Sequence, residues 1–165
     1  MKFLLTMTAL AMSVQPLAGH PGEPHAPAAQ PRTAQLSDEA AVRAVLSQYK
    51  AAIEKLDARG TERLFATDSA IFETGGREGS YANYLAHHLT PELGEFKSFR
   101  YSNYKVEVRF VGPVALATES YTYRIETMKG EVAERLGVAT SVLTNVKGNW
   151  KILSMHNSAR RPKAS

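Results

Sequence analysis

The chain predicts an α+β fold in which N-terminal helices pack on a curved, mostly antiparallel sheet. Two patterns carry this expectation. Val42, Val45, Leu46, Tyr49, Ile53 and Leu56 recur at helical spacing and form one apolar stripe. From Phe99 onward, long runs alternate with period two, as in Tyr104, Val106, Val108 and Phe110 against Lys105, Glu107 and Arg109. Short turn sequences, Gly112-Pro113, Lys129-Gly130 and Lys147-Gly148-Asn149, separate those runs and imply an antiparallel meander. At 165 residues the chain suits one domain.

The first nineteen residues read as a secretory signal peptide. Met1-Lys2 gives a positive start, Phe3 to Val14 carries no charge, and Leu17-Ala18-Gly19 offers small residues for cleavage. The run is too short to span a bilayer, so no membrane anchor is expected after cleavage, and the location is periplasmic or secreted. Residues 20–35 begin HPGEPHAPAAQP and read as a Pro/Ala-rich linker. His20 and His25 within it form either a loose metal-scavenging tail or part of a solvated spacer.

The folded domain is expected over residues 36–160, followed by a basic tail at 161–165. Ser37-Asp38-Glu39 opens the first helix, with a capping side chain and acids in its first turn, and Gly60 closes it. Thr61 caps a short second helix. Ser69 to Thr74 is a short strand, Gly75-Gly76 a tight turn, and Ser80 caps a third helix from Tyr81 to about Leu89, with Pro91 just past its end. Four long strands complete the domain, over 99–111, 114–128, 131–145 and 150–158.

Composition narrows the functional classes. Hydrophobic residues make up 44% and charged residues 22%, the balance of a globular chain rather than a disordered one. With no cysteine, disulfides, thiolate metal sites and cysteine nucleophiles are excluded. The net charge of +4 is interleaved with acids and gathers into no basic face with exposed aromatics, which argues against a nucleic-acid partner.

Four segments carry a family likeness: Ile71-Phe72-Glu73-Thr74-Gly75-Gly76, Tyr84-Leu85-Ala86-His87-His88-Leu89, Ala117-Thr118-Glu119-Ser120, and Trp150-Lys151-Ile152 with His156 and Ser158-Ala159-Arg160. On these the chain resembles the nuclear-transport-factor-2-like superfamily, in particular its exported SnoaL-like and ketosteroid-isomerase-like bacterial domains, over about Leu36 to Arg160. The resemblance implies a cone-shaped α+β fold with a concave pocket, and commonly a homodimer formed through the exposed side of the sheet. It does not imply one function, because this scaffold hosts enzymes, binding modules and dimerisation domains. Ser154 and Ala139 stand where relatives often carry a His and an acid, so no metal and no cofactor is expected. The carboxylate base and Tyr-plus-acid oxyanion hole of steroid isomerisation find no placement on these positions.

The residues offer their own candidates. His88 lies on the inward stripe of Tyr81, Tyr84 and Leu85, as a hydrogen-bonded core residue or a functional group, and His87 lies on its flank. His156 is expected on the strand face of Trp150 and Ile152, either lining the pocket or buried against a neighbouring hydroxyl. Glu73, at a strand end before a glycine turn, is a base, a ligand or a turn acceptor. Glu119 is a buried acid or an ion-pair partner of Arg109 or Arg135. Tyr49, on the first helix, is a core residue with a polar tip or offers its hydroxyl to the pocket, and Arg160 either closes the pocket mouth or is a solvated tail charge.

The expected ligand-binding set is therefore Tyr49, His88, Glu119, Trp150 and His156, with Glu73 and His156 as an acid–base pair if the protein is catalytic. The first expectation is a small-molecule-binding domain. The alternatives are an isomerase, dehydratase or hydrolase working by His/Glu acid–base catalysis, and a weak divalent-metal binder through His88, His156 and a carboxylate.

Overall fold

The computed structural model describes residues 32–163. The signal-peptide expectation and most of the linker lie outside the described residues. The first helix, α1 (Arg32–Glu54), begins inside the segment read as linker. Ser37 therefore does not cap it: its hydroxyl donates back to the Ala34 carbonyl, one turn inside the helix. The apolar stripe behaves as its spacing requires, with Val42, Val45, Leu46 and Ile53 all buried.

α1 also ends earlier than Gly60 suggested. The chain leaves the helix after Glu54, and Leu56 takes the left-handed turn at φ 55°. Gly60, at φ 73°, instead precedes a single 3-10 turn, Thr61–Leu64.

Strand β1 (Phe65–Glu73) is longer than the expected SAIFET segment and pairs with the short β2 (Gly76–Gly79) through the Thr74-Gly75 turn. Three helical pieces then run on without a break: α2 (Tyr81–Tyr84), a π turn (Leu85–Leu89) and α3 (Thr90–Gly94). The Ser80 hydroxyl caps α2 by accepting from the Asn83 amide. Helix continues through Pro91 rather than stopping before it. The π turn gives the reason: Thr90 N–H reaches back five residues to the Leu85 carbonyl, and this widened turn makes room where a proline would collide with a regular one.

Strands β3 (Phe96–Val111), β4 (Val114–Thr127), β5 (Val132–Val146) and β6 (Asn149–Arg160) form the meander. The sheet order is β2-β1-β6-β5-β4-β3, with β1 and β6 parallel and every other pair antiparallel. α1 crosses the concave face. It is tied at one end by the Trp150 indole donating to Asp38 at 3.0 Å and near the other by the Tyr101 amide donating to Glu54 at 3.0 Å.

Two bulges decide which side chains face inward. On β3, Ser102 pairs with Thr122 and Lys105 with Ser120, so Asn103 and Tyr104 together oppose Tyr121. Asn103 absorbs the extra residue at φ 52°. Phe99 and Tyr101 before the bulge, and Tyr104, Val106, Val108 and Phe110 after it, therefore share the inner face despite the break in parity. On β6, Ile152 pairs with Leu143 and Ser154 with Val142, which leaves Leu153 as the extra residue. Trp150 and Ile152 before it and Met155 after it are all buried.

Candidate functional site

The concave face encloses a cavity of about 120 Å³ between α1, the α2–α3 segment and the sheet. The sheet supplies Phe99 and Tyr101 from β3, Tyr121 and Tyr123 from β4, Ala139 from β5 and Met155 from β6. α1 adds Tyr49, Lys50 and Ile53, and the helical segment adds Tyr84, Leu89, Glu92 and Leu93. The wall is largely aromatic. Tyr101 and Tyr121 meet edge to face at 5.0 Å, Phe99 and Tyr123 stack at 5.2 Å, and Tyr104 and Tyr121 stack at 6.0 Å.

Gly137 makes the close packing of this wall possible. It sits opposite Tyr121 in the β4–β5 ladder, and a Cβ there would collide with the Tyr121 ring. The absent side chain is what lets the ring lie flat over the neighbouring strand.

Polar groups enter the cavity in two clusters. The first is at the end of β1. The Tyr84 hydroxyl donates to Glu73 Oε2 at 2.9 Å. His88, on the π turn, places Nε2 3.8 Å from Glu73 and 3.9 Å from Glu92, while its Nδ1 lies 3.2 Å from Glu78 Oε2. The His88 side chain is 39% exposed, so it stands at the mouth of the cavity rather than inside it. Burial by itself would lower the His88 pKa. The Glu78 hydrogen bond and the charges of Glu73, Glu92 and Glu78 outweigh that effect and raise it. Desolvation, with the Glu73 charge behind it, lifts Glu92 above the ordinary carboxylate value.

The second cluster is on the sheet. Glu119, 7% exposed, accepts from the Tyr104 hydroxyl. Burial raises its pKa, and the Tyr104 bond only partly offsets this. No ion pair to Arg109 or Arg135 forms; Glu119 is a buried acid. Nearby, the Lys50 ammonium donates to Glu54 at 2.6 Å and lies 5.1 Å and 5.5 Å from the ring centres of Tyr101 and Tyr104. Burial, with the neighbouring tyrosines behind it, holds the Tyr49 hydroxyl well above its usual pKa, so it is a neutral group on the α1 side.

Not all candidates meet. Tyr49, Glu73 and Glu119 line the cavity, and His88 contacts Glu73 at its rim. Two expectations are corrected. His156 does not share the face of Trp150 and Ile152. The Leu153 bulge reverses the alternation, so Met155 and Asn157 face the cavity and His156 is exposed on the outer side, where it meets Phe72 edge-on at 6.4 Å. Glu73 and His156 are therefore on opposite faces of the sheet, and neither the acid–base pair nor a His88–His156 metal set assembles. Trp150 is buried but sits away from the cavity, packed on Phe110 and bonded to Asp38. Among the described residues no group of three or more His, Asp or Glu side chains is arranged to hold a metal ion.

Several lining residues were not singled out from the sequence. Tyr101 and Tyr104 lie on either side of a bulge that period-two reading does not anticipate, so their shared wall was hidden. Lys50 lies outside the apolar stripe that defines the α1 face, and Glu92 lies beyond the expected helix end. Asn157 faces the cavity because the Leu153 bulge shifts the alternation that strict parity from Trp150 would give.

Comparison with known proteins agrees with this architecture. No curated protein matches the chain. Among solved structures, an NTF2-like superfamily protein from Salmonella enterica aligns with TM-score 0.67 at 16% identity, covering 81% of this chain and 96% of its own. A candidate ketosteroid isomerase from Shewanella frigidimarina aligns with TM-score 0.63 at 26% identity, covering 72% of this chain and 94% of its own. The type 3 hexachlorocyclohexane dehydrochlorinase of Novosphingobium barchaimii aligns with TM-score 0.66 at 14% identity, covering 76% and 88%. The family model described as a SnoaL-like domain matches residues 42–162. That span runs from the middle of α1 through the last strand and takes in the whole cavity wall, and the chain belongs to the SnoaL-like family.

Proposed function

We propose that this protein binds a small molecule in the aromatic cavity of its cone. The observation that carries the reading is the cavity itself: a pre-formed space of about 120 Å³, walled mostly by rings and aliphatic side chains, with a minority of polar groups that includes the Glu73–Tyr84 and Glu119–Tyr104 pairs. Apolar walls with sparse, fixed polar groups are the usual make-up of a ligand site. Native mass spectrometry of the protein as purified, followed by thermal-shift screening with lipid, steroid and aromatic sets, tests it. Co-purifying mass or stabilisation supports the reading; an empty protein that no compound class stabilises defeats it.

A second reading is favoured by Glu73. Its carboxylate lines the cavity, is oriented by Tyr84, and has an imidazole 3.8 Å away, an arrangement suited to moving a proton on a bound isomerase or dehydratase substrate. Glu73→Gln separates the two readings: turnover disappears and binding persists if the site is catalytic.

The proposal extends to the setting of the domain. Export to the periplasm is supported by the N-terminal pattern, and sequencing the N-terminus of protein from the periplasmic fraction tests it. A homodimer through the outer sheet face is supported by the uncharged run Leu136, Val138, Thr140, Val142 and Thr144 on β5, where Val138 is 51% exposed. Light scattering of wild type against Val138→Glu tests that surface.

A further inference from the structure

We infer that the cavity selects an organic cation, a small protonated amine carried on an apolar body. This rests on the binding reading above and adds the sign of the ligand's charge.

The first argument is the charge of the lining. Three carboxylates, Glu73, Glu92 and Glu119, border the cavity, against one ammonium, Lys50. Lys50 is already neutralised by Glu54 at 2.6 Å. His88 stands outside the lining and faces three carboxylates of its own, Glu73, Glu78 and Glu92. Arg135, across from Tyr123 in the β4–β5 ladder, is near the wall without lining the space. A carboxylate or phosphate entering here would meet like charge in a poorly solvated site, whereas a cation would meet compensating charge.

The second argument is the donor inventory. The Tyr84 hydroxyl is committed to Glu73, the Tyr104 hydroxyl to Glu119 and the Lys50 ammonium to Glu54. These three donors are thus committed to carboxylates inside the protein, and the remaining oxygens of those carboxylates are acceptors. An ammonium N–H supplies what those oxygens lack.

The third argument is the wall. The rings of Tyr101, Tyr104 and Tyr121 pack with centres 5.0–6.0 Å apart, and ring faces attract cations. Lys50 shows this within the same cavity, its ammonium 5.1 Å and 5.5 Å from two of those ring centres. Aromatic faces combined with carboxylates are the chemistry that recognises ammonium groups elsewhere.

The test is calorimetric titration of the full domain at low ionic strength with three probes of matched size: phenethylamine, 2-phenylethanol and phenylacetate. The amine is expected to bind at least ~10-fold more tightly than the alcohol, with phenylacetate weakest. Glu73→Gln or Glu119→Gln is expected to erase the amine's advantage while the alcohol still binds, which also shows that the variant is folded. Equal or tighter binding of the alcohol or of phenylacetate overturns the inference and leaves the binding reading intact. An amine advantage that survives both substitutions overturns it too, as does failure of all three probes to bind. Failure of the broad screen described above would remove both conclusions together.

Discussion

The Tyr84 hydroxyl donates to the Glu73 carboxylate at 2.9 Å, and this one bond joins the helical segment over the cavity to the strand that ends at its mouth. Burial, with the Glu73 charge behind it, raises the Tyr84 pKa far above the phenol range, so the hydroxyl is a fixed donor throughout physiological pH. Tyr84→Phe keeps the ring and removes the donor. It is expected to cost about 1–2 kcal/mol, read as a lower urea midpoint with an unchanged slope.

Stability should fall as pH rises from mildly acidic to mildly alkaline. The His88 pKa is raised by folding, so its contribution is fully present below the unfolded value near 6.5 and is lost as pH climbs through the folded value. Glu119 and Glu92 act in the same direction. Their raised pKa values mean that the folded state holds protons which the unfolded chain has released, and their ionisation opposes folding as pH rises above about 4.5. Urea unfolding across pH 5 to 9 checks the slope. His88→Ala should flatten the upper part of the curve and Glu119→Gln the lower part; identical curves for both variants and wild type would contradict the assignment.

Gly137→Ala is expected to destabilise the domain by about 1–3 kcal/mol, because the new Cβ must displace the Tyr121 ring. The backbone at this glycine is not left-handed, so the cost comes from overpacking and not from strain. Gly137→Ala combined with Tyr121→Ala separates the two effects. If the ring is the obstacle, the alanine at 137 adds little once Tyr121 is gone, a coupling that thermal denaturation of the four-protein cycle measures.

Ser141 lies on the inner face of β5, fully buried, and its hydroxyl is the one buried side-chain polar atom without a hydrogen-bond partner among the described residues. Burying an unsatisfied hydroxyl costs free energy that an alanine does not incur. Ser141→Ala is therefore expected to raise stability by up to about 1 kcal/mol, visible as a higher melting temperature. A lower melting temperature would point to a bound water satisfying the hydroxyl.

Much of the fold was legible in the sequence because it rests on local chemistry. The α1 stripe, the Gly75-Gly76 hairpin, the Ser80 cap and the four long strands all come from periodicity or turn residues, and each lies where those signals placed it within a few residues. The departures arose where a neighbour overrides the local rule. Pro91 ends a helix only if the preceding turn is regular, and here it is a π turn. Gly60 read as a helix stop, yet the chain had already turned at Leu56. The candidate site was less legible, because a strand's inner face is a matter of counting. Glu119 and Tyr49 could be placed by counting, since no bulge intervenes in β4 or α1. His156 and Asn157 could not, because Leu153 stands between them and the Trp150–Ile152 pair that set the count.

That unpaired leucine divides β6 into two strands of opposite phase. Substitutions at Trp150 or Ile152 alter the anchorage of α1 and the core, whereas substitutions at Met155 or Asn157 alter the cavity. Removing Leu153 would close the bulge and leave Met155 and Asn157 facing the cavity, because the residues after it already keep their β5 partners, whereas regular pairing through a retained Leu153 would exchange inside for outside along the rest of the strand and present His156 to the cavity. The surplus residue thus keeps an amide rather than an imidazole at the cavity floor, and what this pocket offers a ligand depends on whether one leucine that does not line the cavity is left out of the ladder or paired within it.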